Sequence, residues 1–337
     1  MEQPAVQYVT TPDGFKIAWA AAGEGMPVIE APFHHNHVLL RWQAPGAWLQ
    51  GVAEHFRVIG YDSRGQGLST CGLTADPTVE DYRRDLEAVI EATGVERFAL
   101  AAYGGFGHVV LRYAVDHPDR VTALILICSC EDFAAWSPSA FLGVAEENWG
   151  LFLELQVRKV PPDVQPQIIA WLREMSSQAD YVRLLRAFLS SPPVTDILPQ
   201  VSMPTLLLHS LDQHWLPPAE GAKVAAKIPN ARILFTDGDV EPDFVQGVAA
   251  IIDFLKGVLA PAPILPLPKG ASSQGKLSQR QFEVLCRISE GKTTREIAEA
   301  LVVSERTVER HVADLYSKIG ARNRAEATAY ALSRYGS

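Results

Sequence analysis

Between Leu259 and Lys276 the chain carries Pro261, Pro263, Pro266 and Pro268, followed by Gly270, Ala271, Ser272, Ser273 and Gly275. Closely spaced prolines fix φ and remove backbone donors, so the first half of this stretch is expected to be extended and stiff, and the Gly/Ser half flexible. The stretch predicts a linker, residues 259–276, between two independently folded parts, 1–258 and 277–337. A length of 337 residues fits one large domain plus one small one, and neither part shows an internal repeat.

Charge follows the same division. From Lys276 onward eleven Lys/Arg stand against eight Asp/Glu, a net +3, which leaves −12 for the preceding 275 residues of a chain whose net charge is −9. The front part is excluded as a nucleic-acid face, and the tail remains open as one. Hydrophobic residues make up 47% and charged residues 20%, as in ordinary globular proteins. No apolar run reaches the ~18 residues of a membrane-spanning helix. The start, Met1-Glu2-Gln3-Pro4, lacks the basic and apolar segments of a secretory signal, so no membrane partner and a cytoplasmic location are expected. Cys71, Cys128, Cys130 and Cys286 show no CxxC spacing. They read as core thiols, and no metal or cofactor is expected.

After the linker, Ser278 can cap a helix with Gln281 reaching back to it, and Phe282, Leu285 and Ile288 then share a face. Thr293 or Thr294 opens a second helix containing Ile297, Ala298 and Leu301. Ser304 caps a third, running through Thr307, Val308, Leu315 and Ile319. Two short capped helices joined through Val302-Val303-Ser304 predict a helix-turn-helix. Leu277, Glu283-Val284-Leu285, Gly291, Glu296-Ile297-Ala298, Leu301, Ser304, Thr307-Val308, His311, Lys318-Ile319-Gly320 and Arg324-Ala325 resemble the LuxR-type DNA-binding domain throughout the segment. The resemblance implies that the third helix enters the major groove of double-stranded DNA and the second crosses the phosphate backbone. Arg306, Thr307, Glu309, Arg310 and Ala313 are then expected to face base edges, with Arg310 pairing to guanine and Glu309 accepting from cytosine N4. Many relatives have lysine where Glu309 stands, so this residue either changes the preferred base or weakens phosphate attraction. Thr294, Arg295 and Lys318 are expected on phosphates, and Ser304, the cap between the two helices, is also expected at the DNA. The helix from Ala325 to Leu332 either pairs two such domains in a homodimer or closes the small core.

In the front part, Gln7–Val9, Lys16–Ala20, Pro27–Glu30, Arg57–Tyr61, Phe98–Ala102, Leu124–Cys128, Thr205–His209 and Arg232–Phe235 read as short apolar strands between helical stretches, the pattern of a mainly parallel sheet covered by helices. Tyr61-Asp62-Ser63-Arg64-Gly65-Gln66-Gly67-Leu68-Ser69 and the segment from Ala101 to Val121 resemble the turn after the fourth strand and the nucleophile elbow of α/β-hydrolases, over roughly residues 6 to 257. An elbow is written G-x-S-x-G; here it reads Ala102-Tyr103-Gly104-Gly105-Phe106-Gly107, and the serine position registers on Gly104. The acid position falls on Gln213, with Asp212 one residue off and Asp132 as a relocated alternative, and the histidine position on Val240. Losing all three removes separate parts of the proton-transfer chain, so no catalytic residue is assigned and no enzymatic activity is expected.

What the resemblance leaves is a pocket beneath a cap, expected over residues 131–200, rich in Phe133, Trp136, Phe141, Trp149, Phe152, Trp171, Tyr181 and Phe188. Such aromatics are either cap core or the lining of a cavity for an apolar or aromatic molecule. Loss of the nucleophile side chain is expected to enlarge that cavity. Phe33, His34, His37, Gly104, Gly105, Trp136, Trp149, Trp215 and Val240 are its expected lining, with His34 or His37 meeting a polar end of the ligand; Glu30, Asp239 and Glu241 approach it or are solvated. The spacing of His34, His35 and His37 is too unspecific for a metal site. The favoured reading is a homodimeric, ligand-responsive transcriptional regulator that contacts RNA polymerase. The alternatives are an enzyme using Asp132, His34 or Glu241, and a protein-interaction platform.

Overall fold

The computed structural model describes residues 3–43, 48–135, 139–211, 216–236 and 245–259, together with 281, 284–285, 287–288, 292–301, 303–319 and 327. The chain divides into two compact units, Met1–Leu259 and Ala260–Ser337.

Eight strands of the first unit form one sheet: β1 (Gln7–Thr10), β2 (Lys16–Ala22), β3 (Pro27–Glu30), β4 (Arg57–Tyr61), β5 (Phe98–Tyr103), β6 (Val121–Ile127), β7 (Thr205–Ser210) and β8 (Ala231–Thr236). Their order is β1-β2-β4-β3-β5-β6-β7-β8. The β1–β2 and β2–β4 pairs are antiparallel and the remaining pairs parallel. All eight strands expected from the sequence are present. β6 begins at Val121 rather than Leu124, because Val121 pairs with Phe98 across an irregularity between Phe98 and Ala99.

Strand side chains alternate between two cores, as a period of two requires. Leu100, Leu124, Leu126 and Leu207 pack on one face with Tyr82, Leu86 and Val89 of α3 (Val79–Thr93), Val109 and Val110 of α4 (Phe106–Asp116), and Val224 of α9 (Pro218–Lys227). Ala99, Ala101, Ile125, Ile127, Leu206 and Leu208 pack on the other with Trp48, Leu49 and Val52 of α2 (Trp48–Ala53) and Ile251 and Leu255 of α10 (Val245–Leu259). A short α1 (Leu40–Gln43) precedes α2. The result is the three-layer α/β-hydrolase fold. Cys128 and Cys130 are buried, whereas Cys71 is exposed, contrary to its reading as a core thiol: it follows the turn after β4 and lies outside any strand or helix.

Between β6 and β7 the chain inserts α5 (Ser139–Glu147), α6 (Trp149–Gln156), α7 (Gln165–Met175) and α8 (Gln178–Leu189). These helices have their own apolar cluster of Ala145, Phe152, Leu153, Tyr181, Val182 and Leu185. The insertion is tied to the turn after β4. Asp180 accepts hydrogen bonds from the Gly72 and Leu73 amides, both at 2.8 Å, the Gly67 amide donates to the Met175 carbonyl at 2.8 Å, and Ser176 Oγ donates to the Gly65 carbonyl. Arg64 in the same turn is clamped by Asp85 of α3, with Nη2 2.7 Å from Oδ1, and by Asp13.

The second unit encloses a small core of Val284, Leu285, Ile288, Ile297, Ala298, Val308, Leu315 and Ala327. Its described helices are α11 (Thr294–Leu301) and α12 (Glu305–Ile319). Glu296 closes a capping box on Thr293, which is therefore the cap, leaving Thr294 as the first helical residue. Ser304 Oγ accepts from the Thr307 amide at 3.2 Å and caps α12.

Candidate ligand site and nucleic-acid interface

β5 ends at Tyr103, and the next residue, Gly104, turns the chain with φ of +54°. Its amide donates to the Ile127 carbonyl at 2.9 Å, and α4 starts two residues on without a side-chain cap. This is the strand-to-helix elbow of the fold. A side chain in that left-handed conformation costs about 1–2 kcal/mol, a cost that glycine avoids.

The space over Gly104 is occupied. A Cβ added there would lie 2.8 Å from His34 Cε1. The expectation that a missing nucleophile side chain enlarges a cavity is therefore corrected: the imidazole of His34 takes its place. A Cβ at Gly105 would likewise meet the Phe188 ring at 2.7 Å. Phe188 belongs to the main core, stacked on Tyr82 with centroids 5.5 Å apart. A cavity of about 380 Å³ lies elsewhere, beside Asp76, Leu142, Arg186 and Ser190.

The loop after β3 brings Phe33, His34, His35 and His37 to the elbow and the cap. Phe33 stacks on Tyr103 at 4.2 Å and carries the Arg41 guanidinium 4.5 Å from its centroid. His34 stands edge-on to Tyr103 and Phe188. His37 Nδ1 accepts from the Leu39 and Leu40 amides, 3.2 and 3.3 Å away, so that nitrogen caps the following turn. Glu30 is buried and pairs with Arg41 at 2.7 Å. Asp132 Oδ1 accepts from the Ala134 and Ala135 amides and thus shapes a local turn.

His35, weighed in the sequence only as one of three histidines for a metal, enters the aromatic cluster of the cap. Its ring stacks on Tyr181 at 4.2 Å and 16°, with Trp149 at 6.1 Å and Phe152 at 6.4 Å. Both histidines keep part of their surface exposed. Yet Nε2 of His34 and both ring nitrogens of His35 are buried with no hydrogen-bond partner among the described residues. Burial pushes the His34 imidazole down to about 4. It pushes His35 down to about 3, with His34 adding a smaller push. Both rings are neutral near pH 7. The doublet His34-His35 was the visible signal; its pairing with Tyr181, far along the chain, was not. Trp136, Trp215, Val240, Gln213, Asp239 and Glu241 lie outside the described residues.

In the second unit, Arg306, Glu309, Arg310 and Ala313 are exposed and share the side of α12 opposite the buried Val308 and Leu315. Thr307 is half-buried, with its hydroxyl 2.8 Å from that of Ser304. Its hydroxyl meets the cap, and three residues before Arg310 it borders the same face of the helix. Arg295 is exposed and Thr294 half-buried on α11, while Lys318 donates from Nζ to Gln281 Oε1 at 2.9 Å.

Comparison with known proteins agrees with both units. Residues 275–331 match the bacterial regulatory proteins of the luxR family, and residues 36–170 match the alpha/beta hydrolase fold family. Within the tail, 55 residues are 42% identical to the transcriptional regulatory protein LiaR of Bacillus subtilis, covering 16% of this chain and 26% of that protein. The front unit is 28% identical over 251 residues to a non-heme haloperoxidase of Rhodococcus erythropolis, covering 67% of this chain and 89% of that enzyme. A thermophilic esterase from Thermogutta terrifontis superimposes with a TM-score of 0.64 at 23% identity, over 75% of this chain and 99% of the esterase.

The haloperoxidase match overturns the expectation of no enzymatic activity. Replacement of the triad tests one mechanism only, and a unit that follows a named enzyme over nearly its whole length is not assigned as inactive on that ground. No helix among the described residues is long and apolar enough to cross a membrane. The chain joins an α/β-hydrolase-fold unit to a DNA-binding helix-turn-helix of the bacterial luxR regulatory family.

Proposed function

We propose that this protein is a cytoplasmic, homodimeric transcriptional regulator in which the hydrolase-fold unit, residues 1–258, receives a small molecule and thereby sets the activity of the DNA-binding segment, residues 277–337, through the linker at 259–276. The observation that carries the reading is the joining, in one chain, of a fold that holds small molecules under a helical cap to a luxR-type DNA reader. Coupling requires only that the molecule favour one of two states of the dimer by differential affinity. A contact of the DNA-bound form with RNA polymerase would convert binding into a transcriptional response.

The test has two parts. Native mass spectrometry of the full chain is expected to give a dimer carrying a noncovalent small molecule. DNA affinity followed by fluorescence anisotropy is expected to change on adding that molecule to the full chain and to stay constant for the tail fragment, which has its own apolar core. A fragment that responds to the molecule by itself would sink the model.

A second reading is supported by the haloperoxidase relative: the small molecule is transformed in the same unit, and the regulator follows turnover. Product accumulating in step with protein concentration, and lost in His34→Ala, would select this reading.

A further inference from the structure

His35 is a polar ring in an apolar cage. Tyr181 lies flat against it, while Trp149 and Phe152, themselves stacked at 7° with centroids 5.2 Å apart, flank it at 6.1 and 6.4 Å. Aromatic faces of this kind offer a ring stacking and area but no hydrogen bond. Both imidazole nitrogens are buried without partners among the described residues, and a buried polar atom left without a partner forfeits its hydration. The seat is therefore well shaped for a planar ring and poorly matched to this one. His35 as a residue is only half-buried, although both ring nitrogens are enclosed, so it stands at the margin of the cage.

We infer that His35 is a built-in placeholder, and that the effector is a planar aromatic molecule whose ring displaces the imidazole from the Tyr181–Trp149–Phe152 cage. This rests on the reading that the hydrolase-fold unit receives a small molecule, and it names the seat and the ligand class. The exchange restores hydration to two ring nitrogens and gives Tyr181 a better-matched partner.

Displacement has a protonic signature. In the cage His35 is held near 3 by burial, with His34 adding to the effect. The titratable groups facing it are His34 from its own loop and the Tyr181 phenol from α8; α6 contributes only the Trp149 and Phe152 rings. Released into water, its pKa returns to about 6.5. The complex then binds a proton more strongly than the free protein, so affinity rises as pH falls through that value.

The test uses phenol, a single ring that does not titrate in the range, and the full-length protein with 13C-labelled histidine. In the free wild type the His35 ring resonance is expected to stay constant from about pH 7.5 to about pH 5.5, and with phenol bound to titrate in the ordinary range. Phenol should bind about tenfold tighter at the lower pH. His35→Phe should bind phenol at least about tenfold more weakly, because an apolar ring gains nothing by leaving. His35→Gln, which holds no titrating group, should bind with no dependence on pH. Affinity that is flat with pH in the wild type, pH dependence surviving in His35→Gln, or no phenol binding at all would each overturn the inference. Its failure is separable from failure of the sensor reading: a small molecule released from the native dimer while phenol fails removes the placeholder alone.

Discussion

Arg64 is 3% exposed and Asp85 fully buried, yet both are charged groups. The guanidinium survives there because Asp85 takes its Nε and Nη2, Asp13 takes Nη1 at 2.7 Å, and the Phe15 ring lies 4.2 Å from its carbon. Removing one partner of such a pair leaves a charge without compensation, at a cost of about 3–5 kcal/mol. Because Asp13 remains, Asp85→Asn should fall near the lower end, about 3 kcal/mol, by urea unfolding. A loss below about 1 kcal/mol would show that Asp13 alone suffices. At this scale the sequence was readable where a residue's role is local. Ser304 was legible as a cap from its type and place, whereas Thr293 was separated from Thr294 only by the Glu296 carboxylate that bonds back to it. His37, expected with His34 as a contact for the polar end of a ligand, has its Nδ1 on the amides of a turn, a use for which a histidine carries no sequence signal.

The recognition helix α12 presents two exposed arginines and one exposed glutamate on the face opposite its core. Arg310→Ala is expected to cost about 1–3 kcal/mol in DNA binding and to relax preference at one base pair, since a bidentate arginine reads guanine. Glu309→Lys separates the two roles left open for that residue. If Glu309 only weakens phosphate attraction, the variant binds all sequences more tightly with a steeper salt dependence; if it reads cytosine, preference at one position changes. Both are read by anisotropy titration across salt concentrations. The strands of the hydrolase-fold unit were legible because buried parallel strands are unbroken apolar runs bounded by polar turns. Legibility stops where partners are distant in sequence. His34 over Gly104, Phe188 against Gly105 and Tyr181 against His35 pair a loop, an elbow and a cap helix. No periodicity links such residues, and the pocket drawn from the elbow alone was consequently too open.

Across the whole chain, the division between an acidic front and a basic tail agrees with a DNA reader confined to the second unit. The first unit is less freely jointed than its connectivity suggests. Its cap hangs from the sheet by long excursions between β6 and β7, an arrangement that would let it swing as one lid, but Asp180, Met175 and Ser176 fasten it to residues 65–73. Gly72 and Leu73 lie in neither helix nor strand, and amides in such segments ordinarily trade their hydrogens with water almost at once. These two should instead exchange slowly, in step with unfolding of the unit, and Asp180→Ala should release them selectively in a hydrogen–deuterium experiment. If they exchange quickly in the wild type, the seam opens on its own. If they are slow, the cap stays fastened to the turn after β4 for as long as the unit is folded, and only the parts of the insertion away from that seam are free to move.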